Sequence, residues 1–454
     1  MGLRERLRRP VRRAPHGRRL SLNLPELLLL GFFVLSGVGT VLLSLPIAAY
    51  QPLTWDQALF TATSAVTVTG LGVIDTPSLT GFGQVVVLAL IQVGGLGFMT
   101  CAAMMMVMLG IRLPMHQKKL ISESLEHTSF QSLVEMVRLV ILFALVAEVI
   151  GTLLLALAWV PDYGLAKGLW ISVFHAISAF NNAGFSTWSG SLTGEVADPL
   201  VNAVISLLFI VGGLGFLVIA ELVNWRSLER LSLHTRIVLH ATFWLVLVAM
   251  LSLLLLEWNN PATLGGLEGI GTRLQAAWFQ AVTPRTAGFN TLDIGAMSDS
   301  TALLTMLWMF IGAGSGSTAS GIKVTTMVVL VLVARAFLRG ESRAMAFSRS
   351  LPDNTVMEAV AVALAGMLLI FTCLLVLTIT ESGQAFLDLA FESVSAFGTV
   401  GLSRGITAEL SLPGQLAIIV TMLLGRVGPI SLGYLVARRK VTGFRYAEGK
   451  VHIG

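Results

Sequence analysis

Apolar residues in this chain come in eight runs of spanning length, at roughly 24–47, 82–110, 132–160, 200–224, 236–258, 301–338, 356–380 and 413–437. A helix of about 20 such residues crosses a bilayer. The runs fall into four pairs. Inside each pair lies a shorter apolar piece, beginning near Trp55, Lys167, Arg273 and Gln384. Each piece ends at one glycine: Thr67-Val68-Thr69-Gly70-Leu71, Asn182-Ala183-Gly184-Phe185, Thr286-Ala287-Gly288-Phe289 and Thr399-Val400-Gly401-Leu402. These pieces are too short to span and read as re-entrant half-helices. Irregular backbone at membrane depth is tolerated only where it is buried in protein or lines a water-filled cavity.

The four units are in register. The glycines lie 114, 104 and 113 residues apart, and ten residues before each stands an aromatic, Phe60, Phe174, Trp278 or Phe391. A second glycine motif follows 24, 28, 24 and 24 residues later: Gly94-Gly95-Leu96-Gly97, Gly212-Gly213-Leu214-Gly215, Gly312-Ala313-Gly314 and Gly425-Arg426-Val427-Gly428. Such spacing marks an internal repeat. The predicted fold is an all-α membrane protein: four covalently linked span–pore-helix–span repeats, with eight transmembrane helices and four re-entrant loops in a pseudo-fourfold arrangement round one pore. The divisions are a cytoplasmic basic arm at 1–23, repeats at 24–110, 111–224, 225–338 and 339–437, and a cytoplasmic tail at 438–454.

Composition agrees. The chain is 55% hydrophobic and 12% charged, with mean hydropathy +0.82, against about 25% charged residues in a soluble domain. The net charge of +5 is a matter of topology: the segments 1–20, 111–138, 225–236, 335–349 and 438–454 hold 24 of the 30 basic residues. The positive-inside rule puts these segments, and so both termini, in the cytoplasm. No nucleic-acid partner is needed to explain the basic residues. The Arg-rich start precedes a full-length apolar run, so no cleavable signal is expected. Cys101 and Cys373 lie in apolar runs and read as core residues rather than a disulfide.

Glycine permits backbone conformations that other residues resist and lets a ligand approach closely. A ring of backbone carbonyls can replace the hydration shell of potassium. A half-helix ahead of each glycine would turn its negative end toward a cation. The candidate filter is therefore Val68, Thr69 and Gly70; Asn182, Ala183 and Gly184; Thr286, Ala287 and Gly288; and Thr399, Val400 and Gly401. With one glycine per repeat, the filter should be short.

The run 301–338 is anomalous, since its 38 residues would form a helix of about 57 Å across a core of about 30 Å. It should break at Gly312-Ala313-Gly314-Ser315-Gly316-Ser317-Thr318-Ala319-Ser320-Gly321 and line a cavity there. Small-residue helix packing would be the alternative use of this stretch. Its loose resemblance to nucleotide loops lacks any βαβ context. Arg426, in mid-span, corresponds to Gly95 and Gly213 in the first two repeats. An arginine at a helix centre costs about 2.5–3.5 kcal/mol and needs water or a partner. The expectation is a contact with the 312–321 loop just below the filter, where the cation would form an electrostatic barrier. Lys323 reads as a snorkelling or carbonyl-binding residue. Glu148, Glu221 and Glu257 read as helix-end or packing residues, and His175 and Glu392 as scaffold hydrogen bonders. Asn181 and Asn182 could offer side-chain oxygens at the pore mouth.

The filter segments, the Val-Gly-Gly-Leu-Gly-Phe motifs and the Ser317–Lys323 segment occur in an order that resembles the Trk/Ktr/HKT superfamily of potassium transporters. Eight spans and the tail Phe444-Arg445-Tyr446-Ala447-Glu448-Gly449-Lys450 are similar to the KtrB branch. The resemblance implies passive, gated potassium uptake across a bacterial plasma membrane. Glycine at the first filter position goes with potassium rather than sodium selectivity. The resemblance also makes the 312–321 loop the obstruction of the pore, with Gly312, Gly314, Ser315, Gly316, Ser317, Thr318 and Arg426 as gate residues. It further implies a homodimer, a cytosolic KtrA-like ring that binds ATP or ADP, and sodium stimulation without a site legible here. No bound cofactor is implied in this chain; potassium is the cargo. A cation-coupled secondary transporter with inverted repeats is the alternative, but these repeats run in parallel. A membrane enzyme would need convergent catalytic or metal-binding side chains, and the sequence offers none.

Overall fold

The computed structural model describes residues 24–108, 130–223 and 231–428. The basic arm, the tail, the inner linker stretches 109–129 and 224–230 and the end of the last apolar run lie outside them, as does the side chain of Cys101. Fourteen α-helices form the described part. They are α1 (Leu24–Leu43), α2 (Trp55–Val66), α3 (Gly81–Met108), α4 (Phe130–Tyr163), α5 (Leu165–Phe180), α6 (Pro199–Leu214), α7 (Phe216–Val223), α8 (Leu233–Glu257), α9 (Ile270–Val282), α10 (Asp299–Phe310), α11 (Val324–Leu338), α12 (Asp353–Thr380), α13 (Phe386–Gly398) and α14 (Leu412–Val427). The expected short pieces are α2, α5, α9 and α13.

Among the described residues, three helical stretches are each long and apolar enough to cross a bilayer unaided: Val137–Tyr163, Leu233–Glu257 and Asp353–Thr380. A fourth candidate is a bent pair. The run expected as one span over 200–224 is α6 and α7, which meet at 104° across Gly215. Gly215 has φ +93°, and a Cβ there would strike the Ser315 carbonyl oxygen, so the break makes room for another part of the chain. The helix α14 ends at the corresponding place, with Gly428 at φ +84°. The run 301–338 is also broken: residues 311–323 are non-helical between α10 and α11. A small hairpin, β1 (Met345–Ala346) with β2 (Arg349–Ser350), occupies the linker after α11. Nothing in the apolar pattern predicted it.

The half-helices carry the core. Phe60, Phe174 and Phe391 are fully buried, as their register with the glycines suggested. The third repeat departs from the pattern: Trp278 is partly exposed, and its neighbour Phe279 is the buried ring. The proline at 284 has no N–H to continue the helix, and α9 ends early at Val282.

Acids tie helix ends together. Glu257, at the end of α8 and fully buried, accepts from Ser298 N at 3.0 Å, Ser298 Oγ at 2.7 Å, Thr301 Oγ1 at 2.5 Å, Thr263 Oγ1 at 2.6 Å and Asn260 Nδ2 at 2.7 Å. It thereby caps the start of α10, where a negative charge meets the positive end of the helix dipole. Glu381 does the same for α14, accepting from Ser411 Oγ at 2.5 Å. Glu221 accepts from Ser232 N at 2.6 Å at the start of α8. These are helix-end roles. Glu257→Ala would strand several buried donors. The expected loss is about 3 kcal/mol, read as a lowered thermal midpoint in detergent, with Glu257→Gln falling less.

Candidate functional site

The four loop glycines form a closed ring. A Cβ on Gly70 would strike the Ala183 carbonyl oxygen, one on Gly184 would meet Ala287 O, one on Gly288 would meet Val400 O, and one on Gly401 would strike Thr69 O. Each glycine therefore faces the carbonyl of the residue before the next glycine, and the fourth returns to the first. All four have positive φ, at +93°, +68°, +78° and +90°. Two residues earlier, Val68, Asn182, Thr286 and Thr399 also have positive φ, between +48° and +71°. In an extended strand successive carbonyls alternate in direction. Reversing handedness at every second residue brings them to one side. The strain at four non-glycine residues is of the kind held only where the surroundings enforce it.

The N–H groups of the same segments turn backwards. Thr69 N donates to Ser64 O at 2.8 Å, Ala183 N to Ser178 O at 2.8 Å, Val400 N to Ser395 O at 2.9 Å and Ala287 N to Thr283 O at 3.0 Å. In three repeats the half-helix takes the donor, in the third Thr283 just past α9 does, and the oxygen of each of these residues lies against a ring glycine. The helix C-termini behind add partial negative charge. Such a ring can coordinate a cation and offers nothing to an anion. Among the described residues, no cluster of His, Cys, Asp or Glu could hold a metal ion.

The recurring second glycine motif has a packing cause. A Cβ on Gly94 would overlap Val66 O, one on Gly212 would overlap Phe180 O, and one on Gly425 would overlap Phe397 O. Each oxygen belongs to the fourth residue before a ring glycine, so the half-helix end presses directly on the backbone of the following helix. In the third repeat that position is the proline, and Gly312 packs on Ser320 O instead.

The loop 311–323 is bonded to the segments around Asn182 and Gly215 and to Arg426, which in turn reaches Gly94. Gly314 N donates to Gly213 O at 2.8 Å and Phe216 N to Gly316 O at 3.2 Å, while Thr318 Oγ1 bonds Asn182 Oδ1 at 3.1 Å. Arg426, 1% exposed, donates to Thr318 O, to Ser320 Oγ at 3.1 Å and to Gly94 O at 3.4 Å. Ser315 Oγ lies 3.3 Å from Thr325 Oγ1, and Ser317 Oγ donates to Gly314 O at 2.7 Å. Lys323 Nζ donates to Ala319 O at 2.7 Å.

The asparagine side chains do not lie where the sequence suggested. Asn182 Oδ1 is engaged by Thr318. Asn181 Nδ2 donates to Gln92 Oε1 at 2.7 Å and to Glu148 Oε1 at 3.2 Å. Asn181 is thus bonded to neighbouring helices and Asn182 to the 311–323 loop. Glu148 is therefore a packing residue in a buried hydrogen-bond network, one of the two roles read for it from the sequence. His175 lies among Trp159, Trp188 and Phe289, bonded to Ile171 O and Ser186 Oγ. Glu392 Oε1 accepts from Thr407 Oγ1 at 2.5 Å. One residue escaped the sequence reading: Arg285, three positions before Gly288, is buried and donates to Thr242 Oγ1 at 3.2 Å. A charge inside an apolar pore loop was the signal available.

The family described as "TrkH: Cation transport protein" matches residues 32–443. The chain is 46% identical over 431 residues to the Ktr system potassium uptake protein B of Bacillus subtilis, covering 95% of this chain and 96% of that one. It is 42% identical to the protein of the same name from Vibrio alginolyticus, covering 95% of each. It is 35% identical to the potassium/sodium uptake protein NtpJ of Enterococcus hirae, covering 96% of this chain and 98% of that one. The crystal structure of the potassium transporter TrkH from Vibrio parahaemolyticus shares the fold, with TM-score 0.73 at 19% identity over 93% of this chain and 87% of that one.

Gly94→Ala should destabilise the protein by about 2 kcal/mol, because the overlap is with a fixed backbone atom. Gly97→Ala, where nothing lies within 4 Å, should be neutral or stabilising by up to about 1 kcal/mol. Thermal unfolding of the two variants in one detergent checks the contrast.

Proposed function

The chain belongs to the TrkH cation transport family, and from that premise we propose that it is a potassium uptake protein in which ions pass through the ring of loop carbonyls. The observation that carries the reading is the closed succession of Gly70, Gly184, Gly288 and Gly401, each against the next repeat's carbonyl. The protein is a multi-pass membrane transporter, not an enzyme. On this reading it has eight spans in four repeats, 24–110, 111–224, 225–338 and 339–437, round one pore. Both termini are in the cytoplasm of a bacterial plasma membrane. The filter is Val68–Gly70, Asn182–Gly184, Thr286–Gly288 and Thr399–Gly401. Glycine at its first position supports potassium over sodium. Relatives named for potassium uptake, at up to 46% identity, support the same cargo.

The gate is the 312–321 segment with Arg426. A guanidinium beneath a carbonyl ring repels the ion that the ring attracts, and its bond to Thr318 O ties the barrier to the loop. Opening would require the loop to part from Arg426, Asn182 and the bend at Gly215. A homodimer acting with a cytosolic KtrA-like nucleotide-binding ring would supply that control, and the inner linkers would carry its contacts. Sodium stimulation belongs to the same expectation, with no site assigned.

Cation flux into liposomes tests the reading. Wild-type protein should pass potassium in strong preference to sodium without a second solute gradient. Gly70→Ser should pass sodium as well, with at least a tenfold loss of preference, about 1.4 kcal/mol of discrimination. A flux that depends on a second gradient and ignores Gly70 would favour the coupled transporter. Arg426→Ala, at equal incorporation, should raise potassium flux severalfold; equal or lower flux would remove Arg426 from the gate.

A further inference from the structure

The residues three positions before the ring glycines are Thr67, Asn181, Arg285 and Gly398. Two of these positions hold or adjoin a buried charge, and the charges are opposite. Behind Asn181 stands Glu148, 4% exposed. Gln92 Nε2 donates to its two oxygens at 2.9 and 3.0 Å, and Asn181 Nδ2 donates at 3.2 Å. Both oxygens face N–H donors, the arrangement that suits a carboxylate. In the next repeat the order is reversed. The loop residue itself, Arg285, is the charge, at 8% exposed, and Thr242 stands behind it. Glu148 and Thr242 hold equivalent places, each fifteen residues before the end of its helix at Tyr163 and Glu257. The first and fourth repeats have neutral Thr67 and Gly398 at the loop position.

Arg285 is poorly satisfied for a structural residue. Its Nε has no hydrogen-bond partner among the described residues, and none of the ion pairs found there includes it. A buried guanidinium without an acid costs more than the neutral Asn that fills this place in repeat two. Glu148 likewise exceeds what a hydrogen-bonding brace requires, since Gln would also bond Asn181. What the two share is an ionisable side chain in low dielectric, on or bonded to the residue three positions before a ring glycine. There Coulomb energy reaches farther than in water.

We propose that Glu148 and Arg285 are opposed field-setting residues, the first raising and the second lowering the affinity of the carbonyl ring for potassium. The inference rests on the potassium reading of the ring. Glu148 strengthens the field on the repeat-two side, while Arg285 weakens it on the repeat-three side. Ions are then held firmly enough to enter and loosely enough to leave, as conduction requires. Neither residue touches the ion; both act through the loop segments beside them.

The test is the initial rate of potassium uptake against potassium concentration, with the full-length protein in liposomes, for wild type, Glu148→Gln, Arg285→Gln, the double variant and Thr242→Glu. Glu148→Gln should raise the half-saturating potassium concentration by about threefold and Arg285→Gln should lower it by about threefold, as expected for one buried charge at second-neighbour range. The double variant should return near wild type. Thr242→Glu keeps Arg285 in place and gives it a partner, so it should follow Arg285→Gln even if that variant folds poorly. Two results overturn the proposal: both single variants moving half-saturation in the same direction, or only the maximal rate falling. A wild type that takes up no potassium without a second gradient would instead sink the ring reading itself.

Discussion

The carbonyl oxygens of Thr69, Ala183, Ala287 and Val400 are brought together against the ring glycines, and like dipoles held close repel one another. The described elements round the loops answer that constraint. The N–H of the residue before each ring glycine (Thr69, Ala183, Ala287 and Val400) is bonded back toward the preceding half-helix. The chain alternates its handedness at Val68 and Gly70 and at the three equivalent pairs, which keeps the oxygens on one side. A cation placed in such a ring would relieve the repulsion.

Holding a strained backbone in place requires rigid support from behind. The support is backbone against backbone. Gly94, Gly212 and Gly425 let the following helix press on the carbonyl at the half-helix end. A side chain in that contact would set the half-helix back by the size of a methyl group and open the ring. Large rings such as Phe60, Phe174 and Phe391 fill the space farther out. The acids Glu257 and Glu381 fix helix ends in the third and fourth repeats.

Much of this was legible in the sequence. Four glycines in register with aromatics and with a second glycine motif gave the half-helices and the ring, because symmetry leaves a periodic trace. The length of the run 301–338 against the bilayer gave the break at 311–323, and the isolation of Arg426 in an apolar run gave its contact with that loop. The bend at Gly215 was hidden because it answers the loop of another repeat, and a hydropathy pattern carries no term for a long-range neighbour. Asn181 and Asn182 were misread for a related reason. Adjacency to the ring in sequence places the backbone there, but positive φ at Asn182 sends its side chain toward Thr318. Arg285 was passed over because a single basic residue near a loop resembles the many that mark membrane edges.

The departures from symmetry fall mostly in the third repeat: the proline at 284, Arg285, the exposed Trp278 and the broken run 311–323. A ring of four identical subunits could not hold them. Any residue near its axis would appear four times, and four copies of Arg426 would surround the ion with four positive charges. Joining the repeats in one chain removes that restriction. One repeat can give up its straight helix to become a loop across the others, and one can carry the cation that meets it. Three repeats keep the carbonyl-on-glycine contact that fixes the ring, and the fourth is free to vary. The same covalent linkage allows opposite charges behind neighbouring loops. On the proposed reading, such charges would adjust the field in the ring one side at a time without moving its oxygens.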